Sequence, residues 1–212
     1  MKLYWGPHTC AIGIHILLEE IGRAYETEKI DVQGGATEEA WFKAINPKGK
    51  VPTLIADDGR VLTEFGAIAV WLARQAPDLG LMPTDPDEEQ RALSLTDYVT
   101  GTIHGQAYGR IFMPARFEPQ DPIHQTIGLG QASVKKQGET MLSKAFAIIA
   151  DQLAGREWAA GHRFGVADAA LFYVERWASE TSVPLPPAVD AHLRRIKQRP
   201  AVVRVMAIWG EQ

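Results

Sequence analysis

The chain's single cysteine, Cys10 in WGPHTCAIGIHILLEEIG (residues 5–22), stands just ahead of an apolar helical pattern. A thiol at that junction supports two readings. The unpaired N–H groups of a helix's first turn stabilise a thiolate, which lowers the thiol pKa and makes a nucleophile. Alternatively, Cys10 is a small hydrophobe that closes the gap between a strand and a helix. The spacing excludes one chemistry, because no second cysteine lies three positions upstream and a CxxC dithiol is therefore absent. Any redox role is monothiol, with the second sulfur supplied by a ligand. One cysteine makes neither an internal disulfide nor a cysteine-rich metal site, and the six histidines show no HExxH spacing, so no metal is expected.

Val51, Pro52 and Thr53 form a second candidate element. A proline at the head of a strand loses no essential ladder bond. Were Val51–Pro52 cis, against the usual trans state, the backbone of Val51 would turn outward to pair with an extended ligand. Tyr108, Phe112, Met113, Arg116 and Phe117 suit an apolar pocket or a core equally. The six tryptophans, Trp5, Trp41, Trp71, Trp158, Trp177 and Trp209, read as core or interface residues. His8 is expected exposed in a turn, and His15 packed within a helix. Asp85, Asp87, Glu88 and Glu89 read as a solvated helix start favoured by the dipole, not as a cation site.

The elements that must position these residues fall into two patterns. LYW near the start reads as a strand and residues 11–22 as an amphipathic helix. YETEKID (25–31) reads as a strand, and 37–45 as a short helix capped by Thr37. Asp58-Gly59 turns between Val51–Ile55 and Arg60–Leu62, a hairpin signal, and a helix follows over 66–74. The order β-α-β-α-β-β-α argues for a small sheet with helices packed on it. A proline-rich, acidic linker follows, and then helices over 87–109, 130–154, 166–180 and 188–208, the last broken near Pro200. PARFEPQDP (114–122) is the loop between the first two of these. The expected units are a mixed α/β domain over residues 1–78 and a helical domain over 86–212.

With 212 residues, 46% hydrophobic and 23% charged, the chain is expected to be a globular protein with a substantial core. The net charge of −4 and the absence of a basic patch argue against a nucleic-acid partner. No stretch is long and apolar enough for a membrane span, and MKLYWGPHTC lacks the apolar run of a secretory signal, so the expected location is the cytoplasm.

Cys10 at the first helix, NPKGKVPTL (46–54), the LTE..AI frame (62–68) and the change to an all-helical second half together resemble the cytosolic glutathione transferases. The opening with Cys10 and His15 is most similar to the bacterial beta class, as is His104 in TIHGQAYGRIFMP. The resemblance spans essentially the whole chain. It implies a thioredoxin-like N-terminal domain, an all-α C-terminal domain, glutathione as co-substrate, an apolar second-substrate pocket between the domains and a homodimer. By the same resemblance, Cys10 faces the glutathione sulfur, with His104 nearby as hydrogen-bond donor or general base. Val51, before a cis Pro52, pairs its backbone with the cysteinyl part. Glu64 and the N–H of Phe65 hold the γ-glutamyl end, and Lys50 reaches the glycyl carboxylate. Asp168 is a structural carboxylate tying down the start of its own helix.

Four positions depart from the family pattern. Phe65 replaces the usual Ser or Thr, which removes a hydrogen bond to a carboxylate worth about 1.5–3 kcal/mol. Gly165 replaces a Ser or Thr helix cap, Ala11 follows Cys10 in place of Ser, and Gly105 follows His104 in place of Lys. Three function classes result. The first is an enzyme using glutathione against small apolar electrophiles, mixed disulfides or both. The second is a non-catalytic protein-binding module whose ligand site has degenerated. The third is the carriage of apolar compounds in the cleft between the domains.

Overall fold

In a computed structural model, which describes residues 1–119 and 130–210, the N-terminal part is a four-stranded mixed sheet with helices packed on it. Strand β1 (Lys2–Trp5) pairs in parallel with β2 (Glu26–Lys29) and antiparallel with β3 (Thr53–Ile55), which pairs antiparallel with β4 (Val61–Thr63). The order is β2-β1-β3-β4, with Leu3 opposite both Thr27 and Leu54. The turn between β3 and β4 is the expected Asp58-Gly59 one: Gly59 takes a φ of 82°, and Asp58 accepts from the Arg60 N–H at 3.1 Å.

Helix α1 (Ala11–Ile21) is buried from Ala11 through Leu18, with no solvent face along that stretch. It has neighbours on several sides: α3 (Phe65–Gln75) from its own domain, then α7 (Val166–Trp177) and α9 (Pro200–Trp209) from the helical half. Gly22 ends α1 in the left-handed region, φ 70°, its N–H bonding Leu18 O. Two ion pairs tie α1 to the end of the chain, Arg199 to Glu20 at 2.7 Å and Arg204 to Glu19 at 2.7 Å.

The expected cap at Thr37 is not formed. Residues Ala36–Glu38 make a single 3-10 turn with Thr37 buried, and α2 (Ala40–Ile45) begins only after Glu39, whose extended backbone (ψ 150°) breaks the helix.

Helix α4 (Pro86–Asp97) starts as its sequence requires. Asp85 accepts from the N–H groups of Asp87 and Glu88, Pro86 fills the first position, and Glu88 pairs with Arg156 at 2.9 Å. The helix then widens into a π-helical stretch, Tyr98–Tyr108, before α5 (Gly109–Phe112). Sequence periodicity gives one α-helix here. YVTGTIHGQAY carries two glycines, and the Thr96 and Thr100 hydroxyls bond back to Ala92 O and Thr96 O, competing with the ladder. The remaining helices are α6 (Gly130–Leu153), α7, α8 (Pro187–Lys197) and α9, with a break before Pro200 as expected. In the 114–122 loop, Pro114–Arg116 form a 3-10 turn, and residues 120–122 lie outside the described residues.

Asp168 is fully buried and accepts from the N–H groups of Gly165 and Ala159, both at 2.8 Å, as expected for an anchor of its helix. The absence of a Ser or Thr cap at 165 has a steric cause, because a Cβ there would collide with Leu81 O, the acceptor of the Val166 N–H. Sequence reading missed the rest of this cluster. His192 lies between Asp168 Oδ1 and Glu175 Oε1, at 2.9 Å from each, and all three are buried. The two carboxylates, against the opposing effect of burial, push the His192 pKa up to about 10, so a protonated imidazole joins α7 to α8.

Candidate active site

One cleft of about 460 Å³ gathers Cys10, Lys50, Val51, Pro52, Glu64, Phe65 and His104, all seven residues expected to form the site. Asn46, Thr63, Asp97 and Thr100 also line it.

Cys10 is the residue just before α1, and Pro7–Thr9 carry the chain to it from β1. The Thr9 hydroxyl donates to Gly6 O at 2.7 Å, which holds this turn. The helix start and the burial of Cys10 act in opposite directions on the thiol, and burial wins, raising its pKa to about 12. The Cys10 thiol donates to Val51 O at 4.0 Å, a long contact to the opposite wall. In this state Cys10 is a proton-bearing donor.

The second wall is the segment from Asn46 to Thr53. The Val51–Pro52 bond is cis. Asn46 organises the approach to it: its amide donates to Lys50 O at 2.9 Å and to Thr53 Oγ1 at 2.8 Å, while its oxygen accepts from the Lys48 N–H at 3.1 Å. A buried amide with both ends bonded fixes the loop from within. Lys50 is exposed on the rim of the cleft.

At the third wall, Glu64 sits between β4 and α3 with φ 69° and ψ 125°, a conformation that costs a non-glycine residue roughly 1–3 kcal/mol. It turns the carboxylate outward, 64% exposed, against Lys48 Nζ at 2.7 Å. The same ammonium reaches Thr63 Oγ1 at 3.0 Å. Directly after Glu64, the first-turn N–H groups of α3 lack intrahelical acceptors and form an anion-binding end.

Phe65 follows Glu64, yet its ring does not block the cleft. It is 5% exposed and turns inward, meeting the Tyr173 ring at a centroid distance of 5.2 Å. The missing hydroxyl is real, but the bulk of the ring is placed between the two halves of the molecule.

His104 enters from the π-helical stretch. Its ring meets Trp177 at 5.0 Å and Tyr173 at 5.6 Å, both edge to face. Burial, with Lys50 adding to it, lowers the His104 pKa to about 4, so the imidazole is neutral around pH 7. A base that weak suits donation of a hydrogen bond better than proton abstraction.

The aromatic group near His104 divides. Tyr108 is core, its hydroxyl donating to Val174 O at 2.6 Å, and Phe117 lies beneath the Arg110 guanidinium. Phe112 and Met113 are 42% and 40% exposed. Sequence reading missed Tyr173 and Trp177 beside His104, and also Lys48. The i, i+4 spacing of Tyr173 and Trp177 on α7 was the available signal.

Glutathione S-transferase N-terminal and C-terminal domain models match residues 9–75 and 108–200. Glutathione S-transferase GstA of Escherichia coli O157:H7 is 30% identical over 99% of each chain. Among solved structures, a glutathione transferase homologue from Sulfitobacter with bound glutathione superposes with a TM-score of 0.87 at 25% identity, over 98% of this chain and 97% of that one. The bacterial beta-class enzyme of Sphingomonas chungbukensis gives 0.79 at 30%, over 99% of each chain. The fold, a mixed sheet domain joined to a helical one, is that of a glutathione-dependent enzyme. The chain belongs to the glutathione transferase family. The binding-module alternative gives way to the enzyme reading, and the inward turn of Phe65 removes much of its motive.

Among the described residues no group of His, Cys, Asp or Glu could hold a metal ion, and no helix is long and apolar enough to cross a membrane.

Proposed function

We propose that the cleft binds glutathione in an extended pose and presents its sulfur, as thiolate, to a small apolar electrophile. The observation that carries this reading is the convergence of Cys10, Val51, Glu64 and His104 on one cleft. In this assignment the backbone of Val51 pairs with the cysteinyl residue, and Glu64 takes the γ-glutamyl ammonium. The first-turn N–H groups of α3, beginning with Phe65, take the γ-glutamyl carboxylate, and Lys50 takes the glycyl carboxylate. The glutathione thiol loses its proton to solvent. Its sulfur then accepts hydrogen bonds from the Cys10 thiol and the His104 imidazole, and the sulfur lone pair attacks the electrophilic carbon, forming the C–S bond as the leaving group departs with the bonding pair, chloride in the case of a chloronitroarene. Phe112 and Met113, exposed apolar side chains beyond His104, suit the second substrate. The units 1–78 and 86–212, a homodimer and a cytoplasmic location belong to the same reading.

A second chemistry is favoured by the place of Cys10 on the cleft wall. Here the Cys10 thiolate attacks the glutathionyl sulfur of a mixed disulfide and expels the other thiolate. A second glutathione then cleaves the Cys10–glutathione disulfide and leaves as glutathione disulfide. The raised Cys10 pKa ranks this route below conjugation.

Assays of Cys10→Ser with a chloronitroarene and with a glutathionylated thiol separate the two. Conjugation retained within about tenfold, the span of one hydrogen bond, supports the first chemistry. Conjugation lost together with exchange makes Cys10 the nucleophile. No glutathione-dependent turnover by the wild-type protein overturns both.

A further inference from the structure

We infer that Tyr173 is a positioning residue for His104: its hydroxyl donates to Nδ1 and thereby fixes the tautomer that carries the proton on Nε2. Tyr173 is fully buried, and among the described residues its hydroxyl meets one polar partner, His104 Nδ1, at 3.4 Å. A neutral imidazole is protonated on one nitrogen only. Were Nδ1 to hold that proton, the Tyr173 O–H would be left buried without an acceptor, an arrangement that costs the full desolvation of the group. With Tyr173 as donor, both groups are satisfied and the Nε2–H is free for a ligand in the cleft.

Packing holds the pair in this relation. The Tyr173 ring lies between Phe65, at 5.2 Å, and Trp177, at 5.1 Å, while His104 meets both Tyr173 and Trp177. The Phe65 ring in turn fits against Gly13 of α1, where any Cβ would overlap it. The residue that departs from the family at position 65 therefore supports the residue that orients His104. The charged and titratable groups facing this pair are Lys50, which acts on His104, and Cys10, which acts on Tyr173. The role in turnover rests on glutathione occupying the cleft as proposed above.

The test is nitrogen NMR of the imidazole in the ligand-free protein, with His104 assigned through His104→Gln, combined with kinetics of Tyr173→Phe. The phenylalanine keeps the ring contacts and removes only the hydroxyl. The wild type is expected to show a protonated Nε2 and an acceptor Nδ1. Tyr173→Phe is expected to give mixed tautomers, a higher His104 pKa and a kcat/KM for conjugation lower by about three- to tenfold, the effect of one hydrogen bond. A wild-type imidazole protonated on Nδ1, or a tautomer unchanged in Tyr173→Phe, overturns the assignment. Altered tautomers with unaltered kcat/KM overturn the role in turnover. The expected tautomer in a protein that neither binds nor turns over glutathione instead sinks the proposed function and leaves the hydrogen-bond assignment standing.

Discussion

The ring of Phe65, together with the Ala169 carbonyl of α7, occupies the space that a side chain at position 13 would need: a Cβ on Gly13 would lie 2.6 Å from Ala169 O, 2.8 Å from Phe65 Cε2 and 2.9 Å from Phe65 Cζ. Glycine in the middle of a buried helix is unfavourable by roughly 0.5–1 kcal/mol relative to alanine. Here it admits the backbone of α7 and an aromatic ring from α3 beneath the active site. Gly13→Ala is expected to destabilise the fold by about 1–3 kcal/mol through overpacking, despite the gain in helix propensity. Urea unfolding checks it, and a stabilised variant would show that both the ring and the α7 backbone yield easily.

Phe65→Ser should separate stability from affinity. Removing the ring leaves a cavity between Gly13 and Tyr173, with an expected loss of about 3–5 kcal/mol of folding stability. The new hydroxyl stands beside the proposed γ-glutamyl carboxylate site, so at a temperature where the variant remains folded glutathione should bind tighter, by about tenfold. Paired unfolding and calorimetric titrations would test both signs.

Gly13 was legible only as part of a helix, and Phe65 as a backbone N–H at the ligand site whose side chain departs from the family pattern. The sequence pattern located Cys10, the Val51-Pro52 corner, the Asp58-Gly59 hairpin and the helical second half, because each depends on local chemistry: a helix start, a proline, a turn pair, a 3.6-residue period. Thr37 misled, since a threonine before an apolar run reads as a cap, and here the run is broken by an extended Glu39. The direction of the Phe65 ring depends on Gly13, 52 positions away in the chain, and His192 meets Glu175 and Asp168 only once α8 docks on α7. No local pattern encodes such meetings. For the same reason the thiol at Cys10 was left between two readings. A helix start is visible in sequence, whereas the burial that decides the thiol's pKa is a property of the assembled fold.

The His192 cluster should give stability a basic limb. Its folded pKa, about 10, lies above the unfolded value of about 6.5. The stabilisation is therefore complete below pH ~6.5, declines as the unfolded state ceases to bind the proton, and is lost as pH rises through 10. His192→Ala leaves Asp168 and Glu175 buried without their cation, an expected loss of about 3–5 kcal/mol. Melting curves between pH 6 and 10 would contradict the account if wild type and variant fell in parallel.

His15 should act in the opposite direction. Trp209 Nε1 donates to its Nδ1 at 2.9 Å, Tyr25 meets its Nε2 at 2.9 Å, and Tyr25 in turn donates to Glu19. Nδ1 must accept, since an indole only donates, so His15 is held neutral; burial lowers its pKa to about 4. A lowered histidine contributes stability that is present above pH ~6.5 and declines as pH falls toward 4, where the folded group finally takes a proton. Trp209→Phe removes the donor to Nδ1, and the proton titration of His15, followed by NMR, should move upward. An unshifted titration would mean that burial alone sets it.

Stabilisation of the bound glutathione thiolate by this cleft is measured by titrating that thiol through its ultraviolet thiolate absorbance in the saturated complex. A free thiol titrates near pH ~8.5. Donation from Cys10 and His104, each worth about 1.5–3 kcal/mol to an anion, should lower the bound value by at least about one unit. Cys10→Ala combined with His104→Ala should return it most of the way. A bound thiol titrating at the free value, or a wild-type protein showing no saturable glutathione binding at several millimolar, an affinity weaker than about 4 kcal/mol, would contradict the account.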